Sequence, residues 1–199
     1  MSRSLAFRLS AIRLQWLAGA VVAAGLAVSA CFGGMAQAQT SEPTTIAAGS
    51  LIKGLPWNVT VVEGRLLKSE DGLETEKAGD RWLVVIATVE VTSVDSRSDM
   101  SDVLRLTDVP GLLAVRPQRI LLSQDATDVH YLNPGMPERV AFCWEQSAGA
   151  PVPKSVDVDV YNETLRSNNL SGSVSAGNKD WLDPTVRATV RTPVQDKRA

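Results

Sequence analysis

The 199-residue sequence predicts an all-β fold, an antiparallel β-sandwich of about seven to nine short strands. Three observations carry that expectation. From Leu55 onward apolar residues recur with a period of two, and no stretch there keeps the 3.6-residue period of an amphipathic helix. β-Branched residues crowd the periodic runs. Gly, Pro, Asn and Asp separate those runs at the short spacing of strand-turn-strand proteins. Helix is expected to stay below about 10 %, against roughly a third in an ordinary globular domain.

Each strand is read from its own pattern. Trp57 to Leu67 is the first, with Gly64 as a candidate break. Lys68 to Asp80 is polar, contains Gly72 and Gly79, and reads as a loop. Arg81 to Val94 is the strongest strand signal. One face carries Leu83, Val85, Ala87, Val89 and Val91, and the other carries Trp82, Val84 and Ile86 before turning polar at Thr88 and Glu90. Apolar residues on both faces at one end place this strand in the middle of a sheet. Asp95 to Asp102 is a second polar loop. Short strands are expected at Val103 to Thr107, Leu112 to Val115, Arg119 to Leu122 and Val129 to Leu132. Asn133 to Pro137 is a turn by its chemistry, since Pro presets φ and Gly accepts a positive one. Arg139 to Glu145 puts Val140, Phe142 and Trp144 on one side. Ser155 to Tyr161 alternates Val156, Val158 and Val160 inward with Asp157 and Asp159 outward, and Pro184 to Val190 is the last strand.

The N-terminus reads as an export signal. Arg3, Arg8 and Arg13 precede an apolar run from Leu14 to Ser29, and Ala36-Gln37-Ala38 supplies the small residues that a signal peptidase reads. The run is shorter than a membrane-spanning helix requires and rich in Ala and Gly. Val28-Ser29-Ala30-Cys31 offers a competing site, a lipobox-like approach to a Cys that would be lipidated. Both outcomes place the domain outside the cytoplasmic membrane, as a secreted protein or one lipid-anchored at the cell surface. The expected organisation is a signal over residues 1–38, a flexible tether over 39–54, a sandwich over 55–191 and a charged tail over 192–199.

Without the three signal arginines, the 20 basic and 22 acidic residues become 17 and 22, a net charge of −5. That mild acidity argues against nucleic acid as a partner, and against membrane contact other than through the signal or a lipid anchor. With cleavage after Ala38, Cys143 is the only Cys left, so no intramolecular disulfide is then expected. It lies in an apolar strand and is expected to be buried and inert.

The long strand from Trp82 to Val94, the Leu132-Asn-Pro-Gly-Met-Pro-Glu-Arg-Val-Ala-Phe142 turn and strand, and a signal followed by a polar tether together resemble the small immunoglobulin-like domains of bacterial lipoproteins and secreted antigens. Most of those families have no assigned function. The resemblance spans Leu55 to Val190 and implies an immunoglobulin-like β-sandwich with a binding or accessory role. It implies no catalytic residue.

The residues with chemistry are few. His130 is the sole His and reads as an ordinary surface or strand residue; a zinc site needs three or four ligands, and a Ser-His-Asp triad would depend on this one His. Ser50-Leu51-Ile52-Lys53 matches the Ser-x-x-Lys pattern of penicillin-recognising enzymes, but it lies in the tether and no Lys-Thr-Gly follows. Asp157 and Asp159 share a strand face, which reads as solvated. No metal, cofactor or catalytic residue is therefore expected. Trp57, Trp82 and Trp144 are read as core. Trp181, in a loop-like Asn-Lys-Asp-Trp-Leu-Asp-Pro segment, is the candidate for a ligand or partner surface. The function expected is non-catalytic binding of an envelope or extracellular protein, with a small-ligand or carbohydrate carrier as the alternative.

Overall fold

The structure, a computed structural model, describes residues 43–68, 73–167 and 179–198. The signal region and Cys31 lie outside the described residues. Among the described residues nine strands are present: β1 (Thr44–Ala47), β2 (Leu51–Ile52), β3 (Trp57–Leu67), β4 (Arg81–Val91), β5 (Leu104–Thr107), β6 (Arg119–Leu122), β7 (Glu138–Gln146), β8 (Ser155–Ser167) and β9 (Lys179–Asp196). The helical content among the described residues is one 3-10 turn at Met100–Asp102.

The strands form one curled mixed sheet in the order β5-β8-β9-β3-β4-β7-β6, with β1 added to β9 and β2 to β3. β9 joins the two halves. Up to Pro193 it pairs with β8, and Val194–Asp196 then pair with Gly64–Leu66 of β3. The halves face each other across one core. Leu104, Val156, Val158, Val160 and Val190 come from one half, and Val59, Val61, Leu83, Val85, Phe142 and Trp144 from the other. These side chains are the inward members of the period-two runs, and each full burial of this kind stabilises by about 1.5–3 kcal/mol.

Gly64 does not break β3. The strand's irregularity is a bulge between Val61 and Glu63. Gly64 instead permits close approach, because a Cβ there would lie 3.1 Å from Val194 Cγ2 and 3.2 Å from the Pro193 carbonyl. β9 crosses between the two halves at this point.

Several expectations are corrected. The sheet is not wholly antiparallel: β1 runs parallel to β9, and β9 parallel to β3. The direction of β9 is set by its long antiparallel ladder with β8, so both further neighbours must take whatever orientation the chain path leaves. The segment 39–54 is not tether throughout, since β1 and β2 are strands, and 192–196 is not tail, since β9 runs to Asp196. Residues 112–115 and 129–132 make only isolated bridges, Leu112 to Gln146 and Leu132 to Arg97. Their backbones find partners one at a time instead of in a ladder. Finally, Trp181 lies within β9 and not in a loop.

The outer face of the β3-β4-β7-β6 half carries a second apolar cluster of Trp82, Val84, Ile86, Leu121, Ala141 and Cys143. The chain before β4 straps across part of it. Trp82 Nε1–H donates to the Leu73 carbonyl at 2.9 Å, and the Glu76 N–H donates to Glu145 Oε1 at 2.7 Å. At the start of β4, Arg81 is buried and its guanidinium donates to Gln146 Oε1 and to the carbonyls of Ala150 and Pro151. Gln146 in turn donates to the Pro110 carbonyl. These side chains satisfy two irregular loops that have no ladder of their own, as buried backbone polar groups require.

Candidate functional site

The most distinctive surface lies where β8 and β9 leave the body. β5 pairs with β8 only as far as Val160, and β1 pairs with β9 only over Ala188–Arg191. Beyond those points β8 and β9 continue as a two-stranded arm. Register shifts fall between Val160 and Tyr161 and between Asn162 and Thr164, and Asp183 has a φ of 56°. Such irregularities bend a ladder and increase its twist, so the arm is set off from the sandwich at its root.

At its root the Tyr161 N–H donates to the Val103 carbonyl at 3.0 Å and Arg105 sits 4.6 Å from the Tyr161 ring centre; two contacts further out tie the arm down. The Glu163 N–H donates to the Leu55 carbonyl at 2.8 Å. The second is Arg97. Its backbone is locked by reciprocal hydrogen bonds with Leu132 at 3.0 and 2.9 Å. Its guanidinium carbon sits 5.1 Å from the Trp57 ring centre and 5.4 Å from that of Trp181, within range of an attractive cation–π contact with each. Arg97 also donates to Asp99 and, at 3.0 Å, to Glu163 Oε2. One cation from the Val94–Asp99 region thus joins a core tryptophan of β3 to a tryptophan and a carboxylate of the arm. Burial pushes the Glu163 carboxyl up from its ordinary value, helped by repulsion from Asp99 and opposed by Arg97. Gly54 adds a steric fit, because a Cβ there would collide with the Asn162 side chain at the root of the arm.

A cleft of about 700 Å³ opens beside this junction, with Leu55, Val94, Asp95, Arg97, Leu165 and Trp181 among its lining residues. Leu55 is 54 % exposed, Val94 90 %, Leu165 44 % and Leu182 41 %. Trp181 is half-buried among them. A second cleft of about 690 Å³ shares Leu55 and Leu165 and is lined otherwise by Lys53, Asn162, Glu163 and Arg187. A smaller hollow of about 250 Å³ lies over the outer apolar cluster, with Val84, Ile86 and Cys143 in its lining.

The other candidate residues are spread over the molecule. His130 is exposed. Asp157 accepts two hydrogen bonds from Arg191, and Asp159 accepts from Thr107 and Thr189. Among the described residues no three His, Cys, Asp or Glu side chains converge as a metal site would need. Ser50 to Lys53 encloses the extended β2 and not a helix start. Cys143 is buried, and burial pushes its thiol up to about 12. Reading the chain singled out Trp181 and missed Arg97, Glu163, Leu165 and Leu182. The two leucines were legible only as apolar residues stranded in polar segments. Nothing local marks Arg97, whose role exists only because three distant segments meet around it.

No family model and no curated protein matches this chain. An uncharacterized β-sandwich protein from Clostridium difficile 630 is similar to it in structure, with 13 % sequence identity over 78 % of this chain and 97 % of that one, at a TM-score of 0.46.

Proposed function

We propose that this protein is a non-catalytic extracytoplasmic module that binds a partner protein of the envelope or exterior through the arm end of the sandwich. The observation that supports it is the ring of exposed apolar side chains, Leu55, Val94, Leu165 and Leu182, around a half-buried tryptophan. Contiguous apolar surface with a polar surround is characteristic of protein contact sites. The export reading comes from the zoned N-terminal sequence, and attachment to the membrane would run through the signal or a lipid on Cys31. The acidic balance of the mature chain speaks against nucleic acid.

The immunoglobulin-like affiliation is part of the same proposal. A first strand running parallel to the last supports it. The direct β3–β4 pairing departs from the immunoglobulin plan, in which consecutive central strands cross between the two sheets.

A small-ligand or carbohydrate carrier is the second reading, favoured by a cleft of ligand size beside Trp181. It is weakened by the pairing of the cleft's polar groups. Arg97 and Asp99, both in its lining, bind each other, and Arg97 also holds Glu163 behind them, so these groups do not converge on an empty point. The test is site-specific photo-crosslinking in intact source cells, with the crosslinker at Leu182 and, as control, at exposed Glu74 near the opposite end of β4. A discrete protein adduct at Leu182 alone is expected. No adduct there, or the same adducts at both positions, would remove the reading.

A further inference from the structure

We infer that the cleft beside Trp181 receives an extended segment of the partner in which a bulky apolar side chain is flanked by lysine or arginine. This rests on the partner-binding reading above and specifies its chemistry. The apolar part of the recognition is the exposed ring already described. The basic part follows from charge. Asp95, Asp99 and Asp180 all line the cleft, and Arg97 is the one base among its described lining residues. That base is more than offset by its own partners, since Asp99 and Glu163 both hold its guanidinium and the three groups together carry one net negative charge, to which Asp95 adds another. The cleft therefore presents apolar surface under a negative potential. Asp95 stands exposed beside Val94, where an incoming cation would meet it first.

The neighbouring cleft sharpens the argument by its opposite sign. Lys53 and Arg187 line it, and its one acid, Glu163, has a side chain only 8 % exposed and paired with Arg97. The two clefts share Leu55 and Leu165, so they have common apolar surface but differ in charge. A basic segment is drawn to the first and repelled by the second. An acidic segment would meet like charge in the first, an arrangement that binding surfaces use to reject wrong partners.

The experiment uses three dye-labelled peptides of equal length: leucine alternating with lysine, leucine alternating with glutamate, and serine alternating with lysine. Fluorescence anisotropy is measured against the exported protein and its Asp95→Lys and Glu74→Lys variants. The leucine–lysine peptide should bind about tenfold or more tightly than either of the others. Asp95→Lys should weaken it about tenfold and Glu74→Lys should not. Raising salt from roughly 0.05 to 0.5 M should weaken binding to the unaltered protein, a readout that needs no variant to fold. Equal binding of the leucine–lysine and leucine–glutamate peptides, or no effect of salt, overturns the inference. So does tighter binding of a neutral oligosaccharide, which would point to the carrier. If crosslinking at Leu182 still gives one adduct while the leucine–lysine peptide shows no preference, partner binding stands and this chemistry falls.

Discussion

β8 and β9 lead two different lives along their length. In the body, Val156, Val158, Val160 and Val190 of these strands are buried against the facing half of the sheet. In the arm, Leu165 and Leu182 of the same strands are 44 % and 41 % exposed. The strands pair with each other in both regions, from Ser155 opposite Pro193 to Ser167 opposite Lys179. What differs is everything around them: the body supplies β5, β1 and an opposing layer, whereas past Tyr161 the arm is held chiefly by the Leu55 carbonyl and the side chain of Arg97. A two-stranded ribbon alone is marginal in water, and three or more strands with a covered face are needed for independent stability. The body is thus held by many small contributions and the arm by a few large ones, so the arm is the part that can be retuned without unfolding the protein.

The largest effect that would test this contrast is a pair of truncations. Phe142→Ala, at a side chain with no exposed surface, should cost about 3–5 kcal/mol in urea denaturation. Leu165→Ala in the arm should change stability by about 0.5 kcal/mol or less. Similar costs at the two sites would mean that the arm is part of the cooperative core.

Cys143 probes the body's second apolar face. Cys143→Ser should destabilise by about 1–3 kcal/mol, because the Ala141 carbonyl lies 3.9 Å from Sγ, too far for a good bond from a buried hydroxyl, and Cys143→Ala should cost less. Burial raises the folded thiol from 9.0 to about 12. The folded state therefore holds this proton more tightly than the unfolded chain does. Its contribution to stability is complete below about pH 9 and is lost as pH climbs from there towards 12. Denaturation midpoints across that window should fall in the wild type more steeply than in Cys143→Ala. Rapid labelling of the native thiol at neutral pH would refute the burial.

Arg97 probes the arm. Arg97→Leu removes the cation between Trp57 and Trp181 and leaves Glu163 without its partner. Amide exchange at Thr164 to Arg166 and Asp180 to Leu182 should speed up by about tenfold or more, with little change in β4 and β7. Uniform loss of protection would show that Arg97 supports the whole fold.

The smallest effect is expected at Glu163, and its sign is informative. Its folded carboxyl lies above the ordinary value, with burial as the leading cause. Ionising it therefore costs more in the folded state than in the unfolded one. Its contribution to stability is greatest below the unfolded value near 4.5 and declines as pH rises through the folded one. Glu163→Gln should leave arm protection at neutral pH equal to or slightly better than wild type and flatten its pH dependence above 4.5. A marked loss of protection in Glu163→Gln would instead mean that attraction to Arg97 outweighs the cost of burying the carboxylate.

How much of this could be read in the chain depends on where each residue's partners lie. The all-β class, the span of β3, the position of β6 and the inward faces of β4, β7 and the body half of β8 follow from period-two alternation, which belongs to the strand itself. The burial of Trp57, Trp82, Trp144 and Cys143 follows from the same alternation once a strand is apolar on both faces. The sequence by itself could also mark Trp181 as the odd tryptophan, since its surroundings are polar. Tertiary structure alone decided that β1 and β2 are strands, that β9 turns parallel to β3 beside Gly64, and that Arg97 bridges Trp57, Trp181 and Glu163. The physical reason is common to all three. A four-residue segment such as Thr44 to Ala47 has too little pattern of its own, and a cation's partners are chosen by which distant chains reach it, so neither property resides in any local stretch of the sequence.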